Sequence, residues 1–144
     1  MRVSAKAEYA CIAMLELARH FREVIPVRIK TIADAHGIPQ RFLVQILLQL
    51  KTAGLVASVR GAGGGYQLAR HPAKISLANV ISAVTDRASA HRSDPVPLEP
   101  TSAVRAVRSV WSQLQAEEQR RLEEITVAEL ARRAQETSEL SYQI

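Results

Sequence analysis

Apolar side chains recur at three- and four-residue spacing through most of this chain, and the period shortens once, near its middle. From Ser4 to Phe21, Ile12 and Leu15 with flanking Ala and Met predict an amphipathic helix, with Ser4 as its N-cap. Arg22 to Arg28, containing Pro26, reads as a connector. Ile29 to His36 predicts a short helix with Ile32 and Ala33 inward. Arg28 stands where a capping Ser or Asp would be expected, and Gly37 supplies the left-handed residue that ends the helix. From about Pro39 to Thr52, the residues Phe42, Leu43, Ile46, Leu47 and Leu50 form an apolar stripe, and Gly54 stops it.

The segment Val56 to Leu68, Val-Ala-Ser-Val-Arg-Gly-Ala-Gly-Gly-Gly-Tyr-Gln-Leu, carries the change of period. It predicts a strand, a glycine hairpin and a second strand, with Tyr66 and Leu68 on one buried face. Gly61, Gly63, Gly64 and Gly65 permit positive backbone dihedrals and leave no side chains to obstruct another surface. Arg60 then stands at the base of a thin finger. Gly61-x-Gly63 opens like a dinucleotide fingerprint, but its sixth position is Tyr66 and a strand follows instead of a helix. The Gly-Lys-Ser/Thr of a triphosphate loop is absent, and no helix N-terminus stands behind the glycines to cradle phosphate.

Downstream, Ser76 predicts an N-cap for a helix to about Val84, with Leu77, Val80, Ile81 and Val84 inward. Thr85 to Pro100 is rich in Ser, Asp and Pro and reads as a mobile loop, its His91 solvated instead of metal-bound. Thr101 to Ile125 reads as one long helix. Val104, Val107, Trp111 and Leu114 alternate three- and four-residue spacings, and Leu122 and Ile125 resume the seam after Glu118. Such a stripe exceeds what a lone terminal helix needs, so it predicts a dimer helix in preference to one folded back onto its own domain. Thr126-Val-Ala-Glu129 is a capping box for a further short helix, and the polar tail beyond about Gln135 is expected to fray.

Composition narrows the chemistry. The chain has 144 residues and a formal net charge of +5, which favours polyanions, nucleic acid first and acidic membrane second. A single cysteine excludes an intramolecular disulfide and a cysteine-only metal or iron–sulfur site. Within the first helix, Cys11 reads as a small buried hydrophobe in preference to a reactive thiol. No apolar run is long enough to span a bilayer and the start lacks a signal-peptide layout, so a cytoplasmic location is expected. No paired carboxylates, nucleophile–base set or metal-ligand spacing stands out, so no enzyme, cofactor or metal site is expected.

Two helices around a glycine turn make a helix-turn-helix, and the strand–glycine–strand that follows makes it a winged helix. The fold class expected is mainly α with a small β-hairpin: a winged helix-turn-helix domain over 1–85, a flexible loop over 86–100, and a dimerisation helix with a short terminal helix over 101–144. The second helix can lead into a major groove with its N-terminal residues. Its polar face carries Gln40, Arg41, Val44, Gln45, Gln49 and Lys51; Gln pairs with adenine and Arg with guanine. Arg41 and Gln45 are the first candidates for base contact, then Gln40, while Lys51, Arg70 and Lys74 suit phosphate. Arg60 suits a narrow minor groove, with Gly61, Gly63, Gly64, Gly65 and Tyr66 completing the hairpin surface.

Three runs together carry a family resemblance: Met1-Arg-Val-Ser-Ala-Lys-Ala-Glu-Tyr-Ala; Ile32-Ala-Asp-Ala-His-Gly-Ile; and Leu50-Lys-Thr-Ala-Gly-Leu-Val-Ala-Ser-Val-Arg-Gly-Ala-Gly-Gly-Gly-Tyr-Gln-Leu-Ala-Arg. They resemble the Rrf2 family of bacterial winged-helix transcription regulators, closely over about residues 1 to 85. The resemblance implies a homodimer with crossed long helices on a pseudo-palindromic operator, Gln45 and its neighbours reading the major groove and Arg60 the minor. It also implies departures. Many members hold an iron–sulfur cluster on three cysteines between the fourth and fifth helices, and Thr85 to Pro100 contains none. Glu8 stands where some members offer an acidic ligand, but a lone carboxylate does not hold such a cluster. Val44 occupies a position where many members place a polar reader. The expectation is therefore a dimeric, sequence-specific DNA-binding repressor without a cluster, with the signal left open among a small-molecule effector, Cys11 oxidation, a protein partner or none. The alternative is a winged-helix scaffold for protein contacts that no longer binds DNA.

Overall fold

The computed structural model describes residues 2–23, 25–86 and 99–142. Its helices are α1 (Ala5–Arg19), α2 (Ile29–His36), α3 (Gln40–Thr52), α4 (Leu77–Val84), α5 (Ser102–Glu124) and α6 (Val127–Tyr142). Between α3 and α4 lie β1 (Val56–Val59), β2 (Gly65–Leu68) and a 3-10 turn (Pro72–Lys74). The strands pair antiparallel, Val56 opposite Leu68 and Val59 opposite Gly65.

Helix α1 is the central element, packed against α2, α3, α4, α6 and β2. Ala7, Ala10, Ala13, Met14 and Leu17 face this packing and are buried. The alanines let neighbouring backbones approach, and the larger side chains come from the surround: Ile32, Leu43, Ile46, Leu47, Leu50, Ile75, Val80 and Val127. Ile12 and Leu15, which led the periodic pattern, are only partly buried at the edge of this core.

Side-chain caps set the starts of α1, α4, α5 and α6, whereas α2 and α3 begin at Arg28 and Pro39 without one. Ser4 Oγ accepts from the Ala7 N–H at 3.1 Å, and Thr101 Oγ1 accepts from the Val104 N–H at 3.2 Å. Ser76 and Asn79 form a reciprocal box at 3.0 and 2.9 Å. Thr126 Oγ1 accepts from the Glu129 N–H at 3.1 Å, but the Glu129 carboxylate turns to Arg132 and Arg133. The start of α6 is also bonded to the start of α4, the Leu77 N–H donating to Ile125 O and the Val127 N–H to Ile75 O, each at 2.8 Å.

Two expectations are corrected. Phe42 is 45% exposed and leaves the α3 stripe, because Leu43, Ile46, Leu47 and Leu50 already fill the face turned to the core. Helix α6 continues to Tyr142 instead of fraying near Gln135, with Arg132 bridging Glu129 and Glu136 one turn to either side. The loop expected over Thr85–Pro100 falls, for residues 87–98 and thus for His91, outside the described residues.

A carboxylate inside α1 holds α2 in place. Glu16 is 4% exposed; its Oε2 lies 2.9 Å from His36 Nε2 at the end of α2 and 3.5 Å from Arg19 Nη1, and its Oε1 lies 3.4 Å from His20 Nε2. The other His20 nitrogen meets Glu23 at 2.7 Å. Burial pushes the Glu16 carboxyl up, but the His36 bond, the Arg19 charge and the His20 bond outweigh it and hold it below its ordinary value. His20 is raised above its ordinary value by the Glu23 bond, against the effect of burial and with help from Glu16.

A depressed carboxyl stabilises the fold above its unfolded pKa of about 4.5 and loses that contribution as pH falls through its folded value. A raised histidine contributes fully below about 6.5 and loses its contribution as pH rises through its folded value. Urea midpoints measured from pH 3 to 8 are therefore expected to be highest between about pH 4.5 and 6.5. Glu16→Gln should flatten part of the acid limb. Identical acid limbs in the two proteins would show that the buried carboxylate does not couple to stability.

Candidate nucleic-acid interface

The turn between α2 and α3 depends on Gly37, whose φ of 65° is left-handed and whose N–H donates to Ala33 O. Ile38 is buried just beyond it and anchors the restart of the chain. Four buried side chains, Leu43, Ile46, Leu47 and Leu50, then fix the rotation of α3 about its axis. Gln40, Arg41, Val44, Gln45, Leu48 and Lys51 are left exposed, while Gln49 is partly buried. The Arg41 guanidinium carbon stands 4.9 Å from the Phe42 ring centroid, a cation–π contact that limits the arginine's freedom before any ligand arrives.

The hairpin is built by close backbone contacts. The Gly64 N–H donates to Gly61 O at 3.0 Å, and a Cβ on Gly64 would lie 2.3 Å from Val59 O. Val27 pairs with the outer edge of β2: its N–H donates to Tyr66 O at 2.8 Å, and the Tyr66 N–H donates to Val27 O at 2.7 Å. A Cβ on Gly65 would sit 2.4 Å from that same Val27 oxygen. Around Gly63 nothing lies within 4 Å, so this glycine alone of the last three is not demanded by the packing. Arg60 and Tyr66 are exposed and partly exposed respectively.

One residue missed in the sequence governs the hairpin tip. Arg28, just before α2, donates from Nη2 to Ala62 O at the far end of the finger. Its only sequence signal was its poor fit as an N-cap. Arg28→Ala should free the tip: hydrogen exchange at the Gly64 amide is expected to quicken by about tenfold, the equivalent of one lost charge-assisted bond, with α1 amides unchanged. Unaltered exchange at Gly64 would show that the turn holds itself.

Charge is concentrated in the same segment. From Arg28 to Lys74 the chain carries seven Lys or Arg and a single carboxylate, Asp34. That carboxylate is occupied by Lys30 at 3.3 Å. Arg41, Lys51 and Arg60 have no carboxylate partner among the described residues. With the helix-turn-helix and wing both uncovered in this chain, the positive charge faces solvent.

Elsewhere, α5 buries no residue in this chain. Val107, Val110, Trp111 and Leu114 are exposed, Trp111 by 59%, and Val104 is partly so. Leu122 and Ile125 differ: both are partly buried. Leu122 lines a groove with α3 and α4, and Ile125 is bonded to Leu77. The only cysteine, Cys11, is partly buried, and burial followed by the Glu8 carboxylate pushes its thiol pKa up. Among the described residues no three His, Cys, Asp or Glu side chains are grouped to hold a metal ion, and no helix is long and apolar enough to cross a membrane.

A helix-turn-helix, a two-stranded wing and a cationic, uncovered surface on both define a winged-helix DNA-binding fold. The profile of the Rrf2 family, described as an iron-dependent transcriptional regulator, matches residues 3–133, and the chain belongs to that family. It is 42% identical over 132 residues to Rv1287 of Mycobacterium tuberculosis, named as a candidate HTH-type transcriptional regulator; the match covers 91% of this chain and 81% of that protein. It is 44% identical over 90 residues to the HTH-type transcriptional regulator IscR of Aliivibrio salmonicida, covering 62% of this chain and about half, 53%, of that protein. Among solved structures, IscR of T. potens superposes with a TM-score of 0.78 at 34% identity, over 95% of this chain and 90% of that one. CymR of B. subtilis, titled the global cysteine regulator, gives 0.75 at 29% identity, over 91% and 96%. The chain is accordingly a transcriptional regulator of the Rrf2 family.

Proposed function

We propose that this regulator is a homodimer that binds a pseudo-palindromic operator and represses transcription without an iron–sulfur cluster. The observation that carries it is the uncovered cationic segment shared by α3 and the wing. In this proposal Arg41 and Gln45, with Gln40 beside them, read base edges in a major groove, and Lys51 holds phosphate. Arg60 enters the neighbouring minor groove, and the backbone of Gly61, Gly63, Gly64, Gly65 and Tyr66 lies against the duplex. The exposed seam of α5 from Val104 to Leu114 meets its copy in the second subunit, with Leu122 and Ile125 at the margin of that contact. Repression requires only that a bound dimer occupy a promoter.

The proposed absence of a cluster rests on donor chemistry. A cluster takes thiolates, and the chain offers one thiol, partly buried and with a raised pKa. Glu8 alone does not replace the missing sulfurs.

Anisotropy titration of duplexes enriched from a random pool tests the proposal. Affinity is expected to fall steeply with salt, as counterions are released by phosphate contacts, and to exceed that for scrambled duplex by about a thousandfold or more. A promoter reporter carrying the enriched site should lose expression when the regulator is supplied. Binding that is blind to sequence or indifferent to salt would leave the protein-scaffold alternative standing.

A further inference from the structure

The reading face of α3 is not wholly polar. Val44 is 45% exposed and Leu48 is 58% exposed. Neither belongs to the apolar core or to the partly buried shell around it. One isolated apolar side chain on a surface needs no explanation. These two are one turn apart, on the side of the helix opposite Leu43, Ile46, Leu47 and Leu50. They lie beside Arg41 and Gln45, themselves four residues apart, so two parallel rows run along the exposed face. One row is apolar and the other can make bidentate hydrogen bonds.

A second protein copy is a poor occupant for this face. Its own Arg41 and Lys51, unpaired with any described carboxylate, would meet their counterparts. The major groove offers a better match. Its one apolar group is the thymine C5-methyl, which stands next to the hydrogen-bonding edges that Arg and Gln recognise.

We propose that Val44 and Leu48 are specificity-determining residues that pack on thymine methyl groups, so that the operator half-site carries thymine beside the bases read by Arg41 and Gln45. This rests on the DNA-binding function proposed above. It predicts the chemistry of the half-site from this chain's own side chains.

The test uses duplex enriched by the full chain from a random pool, with each thymine replaced in turn by deoxyuridine, which removes the methyl alone. At one or more positions per half-site the affinity is expected to fall about fourfold, the equivalent of one methylene-sized group left unburied. Val44→Ala and Leu48→Ala are exposed helix substitutions to a strong helix former and should leave the fold intact, as circular dichroism would verify. Each variant should abolish the deoxyuridine penalty at its own position, the signature of a direct pairwise contact. Enriched duplex with no methyl-sensitive position, or the same penalty in wild type and both variants, would overturn the thymine assignment while leaving DNA recognition intact. Failure to enrich any sequence would remove DNA recognition itself, and this assignment with it.

Discussion

Trp111→Glu is expected to give a folded monomer that has lost most of its operator affinity. The indole is 59% exposed and α5 buries none of its residues in this chain, so the substitution removes no core contact. It places a carboxylate in the middle of the apolar row formed by Val107, Val110 and Leu114. In a dimer that row would be desolvated, and an unpaired charge there costs several kcal/mol. Two linked half-site contacts gain about a hundredfold or more in avidity over one, and this gain disappears with the dimer. Sedimentation equilibrium, circular dichroism and operator titration report the three parts separately. A monomeric wild type, or a variant that still sediments as a dimer, would show that the α5 row has some other use.

Gly65→Ala is expected to destabilise the fold by about 2–4 kcal/mol, from two lost backbone hydrogen bonds and the strain of a displaced strand. The added methyl would sit 2.4 Å from Val27 O and 2.6 Å from its carbonyl carbon. Backbone cannot yield as a flexible side chain would. Val27 must leave Tyr66, breaking the pair of bonds at 2.7 and 2.8 Å and loosening the lead into α2. Gly63→Ala is the matched control, since nothing lies within 4 Å of its site, and its stability should stay within about 0.5 kcal/mol of wild type. Equal urea midpoints for both variants would mean that the Val27 contact relaxes freely. Should Gly63→Ala keep its stability yet bind operator more weakly, close approach of the finger to DNA gains direct support.

The winged-helix fold was legible because its signals are local. The apolar period of α3 ends at a glycine, the two strands bracket the glycine run that closes at Gly65, and the caps Ser4 and Ser76 stand one residue before their helices. Phe42 departs from expectation because Phe42, Leu43, Ile46, Leu47 and Leu50 together make a stripe wider than the core side of α3 can take. Glu16 was passed over since a glutamate in an amphipathic helix reads as solvated; its partner His36 lies twenty residues away, and nothing local marks the pair. Arg28 and Ala62 are separated by thirty-four residues and are equally invisible to periodicity. For α6 a signal was present and unused: Glu129, Arg132, Arg133 and Glu136 stand at the spacings that support an exposed helix. The site residues on α3 and the wing are marked in the sequence by side-chain chemistry; Gln40, Arg41, Gln45, Lys51 and Arg60 are exposed and available for it, while Gly64, Gly65 and Tyr66 are partly buried.

Hydroxyl-radical footprinting of the enriched duplex, with wild type and with Arg60→Ala, tests the grip of α3 and wing most directly. The expected result is two protected half-sites on one face of the duplex, separated by a whole number of helical turns. Arg60→Ala should cost about 1–3 kcal/mol in affinity and lose the minor-groove protection flanking each half-site, while backbone protection across the half-site itself persists at higher protein concentration. Uniform protection along the duplex, or a footprint that Arg60→Ala leaves unchanged, would contradict the joint role of helix and finger.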